Sequence, residues 1–209
     1  MSLVARARRP AVARALVVAA LAVVLSSCQN TWGIRESYRN YIAGPIAHGE
    51  IIASNGAGHP DGGSGPGKGA FTWGLDSSSF NAANNSGWVK LKGTVVVRGH
   101  RNASGVWVLE SSFTNPLLLF NGTVGYLYVD LQFRPFEGTN PNPVPPIQTA
   151  NAAPFAVVDL SGVSWAPDSN GKRTIKNAPM VGIDSTMELI GWDAFYGLPV
   201  TLDPLTVTF

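Results

Sequence analysis

Ser37, Tyr38 and Tyr41 place three hydroxyl-bearing side chains within five residues. At helical spacing Ser37 and Tyr41, four apart, share one face, and Tyr38 lies close to it. A tyrosine oxygen hydrogen-bonds when neutral. Deprotonated, it is an anionic oxygen donor, but a group that titrates near 10 forms the anion only where its surroundings stabilise it. The ordinary role of such a tyrosine is in the core, its hydroxyl satisfied by backbone. Other chemistry is poorly supported. His48, His59 and His100 are isolated, with no Cys or His at zinc spacing and no His-Glu-x-x-His pattern. The glycine-rich run Gly62 to Gly69 fails as a phosphate loop, because Gly69 follows Lys68 where Ser or Thr would hold magnesium, and a strand-like run containing Trp73 comes next. No Gly-x-Ser-x-Gly elbow is present, so nothing reads as an enzyme. Asn84, Asn102 and Asn121 open Asn-x-Ser/Thr strings that read as turns.

These residues must be positioned by short elements. Scattered Gly and Pro separate runs rich in Val, Leu, Thr and aromatics, the pattern of an all-β sandwich or barrel. The expectation is an all-β, antiparallel β-sandwich with one or two short helices. Strands are predicted over Trp88–His100, Gly105–Ser111, Thr123–Phe133, Phe155–Trp165, Met180–Ile190 and Leu205–Phe209. Val89, Leu91, Val95 and Val97 share one face of the first strand. The turn over residues 100–104 makes a hairpin of the first two, with His100 near its tip. Ile34, Tyr38, Tyr41 and Ile42 recur at three- and four-residue spacing, which predicts a helix within Trp32–Ala43 ended by Gly44 and Pro45. Asn55–Ala70 is glycine-rich and Pro135–Pro154 holds six prolines, so both are expected as surface loops.

The amino terminus has a different character. Arg6, Arg8, Arg9 and Arg14 precede an apolar run from Ala15 to Leu25, too short for a comfortable membrane span, and then Ser26, Ser27 and Cys28. This is the layout of a signal peptide over residues 1–27, and Leu25-Ser26-Ser27-Cys28 resembles a bacterial lipobox, which implies lipidation of Cys28. Cys28 is the sole cysteine, so no intramolecular disulfide can form and residues 28–209, read as a single domain, depend on core packing. Loss of the four arginines lowers Lys+Arg from 15 to 11 against 13 Asp+Glu, a mature balance of about −2. Nothing in that balance supports a nucleic-acid partner. The expected place is the extracytoplasmic side of the cell membrane. With three residues between Cys28 and Trp32, the domain would sit close to the bilayer.

Three segments, in order along the chain, resemble HtaA-type domains, the haem-binding modules of actinobacterial haem uptake. They are Trp32 to Tyr41 with Gly44 to Gly49, then Lys92 to His100, then Phe195-Tyr196 to Leu202-Asp203-Pro204. The resemblance implies ferric haem (protoporphyrin IX) as cofactor, Tyr41 as iron ligand, His100 as its supporting histidine and Ser37 as the nearby serine. Tyr38 stands where the family has phenylalanine, which makes it the competing ligand. A phenolate is one of the axial ligands of haem proteins and favours ferric iron. A histidine N–H to its oxygen would stabilise the anion, and the Ser37 hydroxyl could reach a haem propionate. The implied role is relay of haem to an ABC-type permease, its binding protein or another carrier, with no bond made or broken in the haem. The alternative is an envelope β-sandwich lipoprotein with a structural or adhesive role and no haem.

Overall fold

The computed structural model describes residues 30–59, 69–135 and 137–209. The signal segment and Cys28 lie outside the described residues. The strands are β1 (Asn30–Trp32), β2 (Glu50–Ser54), β3 (Ala57–Gly58), β4 (Phe71–Asn81), β5 (Ser86–Lys92), β6 (Thr94–Arg101), β7 (Trp107–Asn121), β8 (Val124–Phe133), β9 (Gln148–Asp159), β10 (Thr174–Gly182) and β11 (Thr201–Thr208). Among the described residues three short helices join them: α1 (Glu36–Ala43), α2 (Asp184–Leu189) and α3 (Asp193–Tyr196).

The 15-residue β7 organises the sheet. On one edge it pairs with β6 over its first half and with β5 over its second, while its other edge pairs with β8 from Ser111 to Asn121. That last pairing closes a ring in the order β7-β5-β4-β1-β11-β10-β9-β8, leaving β6 and β2 as a wing and β3 beside β4. The chain is therefore all-β and antiparallel, but its core is an eight-stranded barrel with extra strands instead of the expected sandwich. A sandwich keeps two separate sheets, whereas here one long strand serves both ends of a single sheet. Eight strands is also the size at which side chains alone fill the interior. Trp32, Phe113 and Phe155 fill it near the helices, with ring centroids 5.5 Å apart for Trp32–Phe155 and 5.6 Å for Phe113–Phe155. At the other end Phe120 and Trp165 stack at 5.1 Å.

Alternation placed the core residues of the predicted first strand correctly: Val89, Leu91, Val95 and Val97 are all buried. Its continuity was wrong. Gly93 divides it into β5 and β6, with φ at +142° and so little room that a Cβ would lie 2.5 Å from the Ala57 nitrogen. The predicted strand Phe155–Trp165 is displaced toward the amino terminus as β9, which takes up part of the expected proline loop. Met180–Ile190 is strand only to Gly182 and then forms α2. The helix begins later than its periodicity suggested, because Trp32 belongs to β1 and Ile34, at φ +68°, turns the chain between the two. The Ile34 carbonyl there accepts the Asp203 amide at 3.0 Å.

Candidate functional site

All three helices gather at one end of the barrel, over the end of β1 that leads into α1 and the beginning of β11. Two anchors fix α1. The buried Arg39 guanidinium pairs with the Asp203 carboxylate and donates to the Gly33 carbonyl, and the Glu36 amide donates to Asp203 Oδ1 at 2.8 Å. After the helix, the Gly49 amide donates to the Ile42 carbonyl at 2.7 Å. Any side chain at Gly49 would meet the Arg98 carbonyl on β6 as well as Ile42. This close approach seats α1 beside the β6–β7 hairpin.

His100 lies near the end of β6, in the left-handed region at φ +55°, with its amide donating to the Ala47 carbonyl at 2.8 Å. The hairpin turn closes through the Asn102 amide on the Val106 carbonyl at 2.9 Å. The result is a direct hydrogen bond between Tyr41 Oη and His100 Nε2, the ring centroids 5.6 Å apart. Both side chains are partly buried. Burial pushes the Tyr41 phenol above its usual value, and burial followed by neighbouring His48 holds the His100 imidazole below 6.5. At neutral pH the pair is thus a neutral phenol hydrogen-bonded to a neutral imidazole.

Tyr38 has a different setting. It is 4 % exposed, its ring lies 4.8 Å from that of Trp192, and its hydroxyl donates to Ser111 Oγ at 3.3 Å. Burial raises its pKa strongly, opposed by the Ser111 bond. This is the environment of a core tyrosine with a satisfied hydroxyl. Ser37, on the exposed face of α1, accepts from Arg35 Nε at 2.8 Å and hydrogen-bonds Tyr196, over whose ring the Arg35 guanidinium carbon sits at 4.0 Å. His48 is exposed, and His59 packs against Phe71 at 5.6 Å.

Ser37, Tyr38 and Tyr41 form one wall of a cleft of about 650 Å³ measured out to its open mouth. Leu109, Ser111 and Arg134 line it as well, with Ile190 and Trp192 from the link between α2 and α3 and Phe195 and Tyr196 from α3. The walls are largely aromatic and aliphatic, and among the described residues no carboxylate lines them. Of the four residues singled out in the sequence, Tyr41, Ser37 and Tyr38 line this cleft, and His100 reaches it through Tyr41. The lining from α3 and the link before it escaped the reading of sequence pattern. Phe195 and Tyr196 fell only within a matched segment, and Trp192, four before Tyr196, is the one spacing signal that could have marked it.

A closed antiparallel barrel with an apolar cleft under its helical cap, and a histidine-supported tyrosine in the cleft wall, defines a small-molecule-binding module. The chain belongs to the HtaA (Htaa) family, whose sequence profile matches residues 27–208. It is similar to the haem-binding protein HtaB from Corynebacterium glutamicum, at 25 % identity and a TM-score of 0.66 over 87 % of this chain and 94 % of that one. It is likewise similar to the N-terminal domain of HtaA from Corynebacterium glutamicum, at 26 % identity and a TM-score of 0.66 over 86 % and 93 % of the two chains. The C-terminal domain of that HtaA, at 22 % identity and a TM-score of 0.66 over 86 % and 93 %, shares the fold. No curated protein sequence matches significantly.

Proposed function

We propose that this chain is an exported lipoprotein, anchored through Cys28 on the extracytoplasmic side of the cell membrane, that binds ferric haem through Tyr41 and passes it on in haem uptake. The observation that carries the reading is the Tyr41–His100 hydrogen bond in the wall of an apolar cleft. Family membership and the similarity to a haem-binding protein support it. The donor set suits the group: a single oxygen ligand, flat aromatic walls in Trp192 and Tyr196, and, among the described residues, no carboxylate in the lining.

Bound there, ferric haem would supply a Lewis-acidic iron, which Tyr41 would hold through its phenol oxygen. Tyr41 must lose its proton to serve as ligand, and Nε2 of His100 is placed to take it. The resulting imidazolium stays hydrogen-bonded to the phenolate and stabilises it. Return of the proton along the same hydrogen bond would restore a neutral phenol and so release the iron. A relay needs this reversibility, which a single protonatable oxygen ligand would supply. Tyr196, Phe195 and Trp192 shield the macrocycle, and Ser37 stands at the mouth for a propionate. Delivery would be to a membrane permease, its binding protein or another haem carrier.

Titration of the purified mature domain with hemin tests this. The expected result is a Soret band with phenolate-type ligation in the wild type and in Tyr38→Phe, lost in Tyr41→Phe. No spectral change in the wild type would sink the haem reading, and a band that survives Tyr41→Phe but not Tyr38→Phe would move the ligand to Tyr38.

A further inference from the structure

We propose that Arg35 is a specificity-determining residue: it supplies the positive charge that makes the cleft prefer an apolar macrocycle carrying a free carboxylate. The inference rests on the haem reading and names the feature of the ligand to which this end of the site responds.

Arg35 immediately precedes α1, and three contacts hold its guanidinium at the cleft mouth. Nε donates to Ser37 Oγ at 2.8 Å, one terminal nitrogen donates to the Thr201 carbonyl, and the guanidinium carbon lies 4.0 Å from the centroid of the Tyr196 ring. Ser37 and Tyr196 both line the cleft, so the cation is fixed beside its opening. What distinguishes it is its partners together with its place. Arg101 and Arg173 also contact only a carbonyl and an aromatic ring, Gly105 with Trp107 and Trp165 with Phe80, but none of those partners lines the cleft. Arg39 pairs with Asp203, Arg98 with Glu50 and Glu110, and Arg134 with Glu110. Arg35 instead contacts a hydroxyl, a carbonyl and a π face, all neutral, and among the described residues no carboxylate pairs with it.

A half-buried guanidinium balanced by no anion favours one supplied by a ligand, and its planar fork suits a carboxylate. Asp203, two residues beyond the Thr201 carbonyl that receives Arg35, is already engaged by the Arg39 guanidinium and the Glu36 amide. Arg35 stands just outside the lining, in contact with Ser37 and Tyr196, and forms with their hydroxyls a cluster of one cation and two hydroxyls; the cation within the lining, Arg134, is already engaged by Glu110 and the Pro145 carbonyl. A carboxylate placed there keeps its charge at the mouth as the ring enters the dry part of the cleft.

The test is a cycle of two ligands and three proteins: hemin and hemin dimethyl ester in one detergent buffer, against wild type, Arg35→Met and Arg35→Lys. Arg35→Met is expected to weaken hemin about tenfold or more while leaving ester affinity and the Soret position unchanged, with partial recovery in Arg35→Lys. If Arg35→Met weakens hemin and ester equally, Arg35 only props Tyr196 and Ser37, and the inference fails. An unchanged hemin affinity in Arg35→Met overturns it as well. Wild type that binds neither ligand removes the haem reading itself, an outcome distinct from both.

Discussion

Tyr41 and Tyr38 are three residues apart on one helix, yet their surroundings assign them different work. Tyr38 is sealed against Trp192 and Ser111, whereas Tyr41 is half-buried and meets a residue that can take its proton. The same contact gives the unliganded protein a pH dependence. Burial and His48 hold His100 below 6.5, so the unfolded chain binds that proton more tightly than the folded one. The stability it contributes is present above the unfolded pKa and lost as pH falls through the lowered folded value. Thermal unfolding from pH 7.5 to 5 should therefore show a declining Tm in the wild type and a flatter profile in His100→Asn, where Asn tolerates the left-handed backbone. Asp159, held below its usual 3.8 chiefly by hydrogen bonds from Ser161, titrates outside that window. At this scale periodicity put Ser37 and Tyr41 on one face. It could not pair Tyr41 with His100, 59 positions away, because that depends on how α1 docks against β6.

The docking of α1 rests on few groups, which makes it testable. Arg39 is 3 % exposed and its carboxylate partner is Asp203 on β11. Asp203→Asn keeps the shape but leaves a buried guanidinium without its counter-charge, a loss of about 3 kcal/mol. Denaturant unfolding should register it, and hemin affinity should fall with it as Tyr41 loses its fixed position. An unchanged midpoint would show that Arg39 finds compensation elsewhere. Alternation made β8 readable from sequence, and the buried faces of β5 and β6 though not the break between them. β4 was not readable: Asp76, Ser77, Ser78 and Ser79 offer no apolar face, and its strand form follows from pairing with β5 and β3 on one side and with β1 on the other. The helix α2 was hidden for the opposite reason, since Met187 and Ile190 extend an apolar run that begins in β10.

For the molecule as a whole, the composition indicated antiparallel β but not closure. Whether strands form two layers or one ring depends on the double pairing of β7, a long-range property no local pattern encodes. Closure also fixes the ends of the barrel. Asn30 sits beside Thr208, whose amide donates to Asn30 Oδ1 at 2.8 Å, whereas the Thr201 carbonyl receives Arg35 at the cleft. The eight residues of β11 between them span about 25 Å. A flexible extension ahead of Asn30 should accordingly leave hemin affinity within about twofold of the parent domain, and a larger change would mean that the amino-terminal segment reaches the site.

The proximity of Cys28 to the first strand suggested a domain lying close to the bilayer, its ligand within easy reach of the membrane. The barrel gives that proximity another meaning. With a lipid at Cys28, the tethered end is the one plugged by Phe120 and Trp165, and the length of β11 stands between it and the cleft. The protein then resembles a mooring post with its catch at the top. Cargo arriving from outside meets the open mouth first, and a membrane-embedded acceptor must either rise to that height or wait for the post to lean.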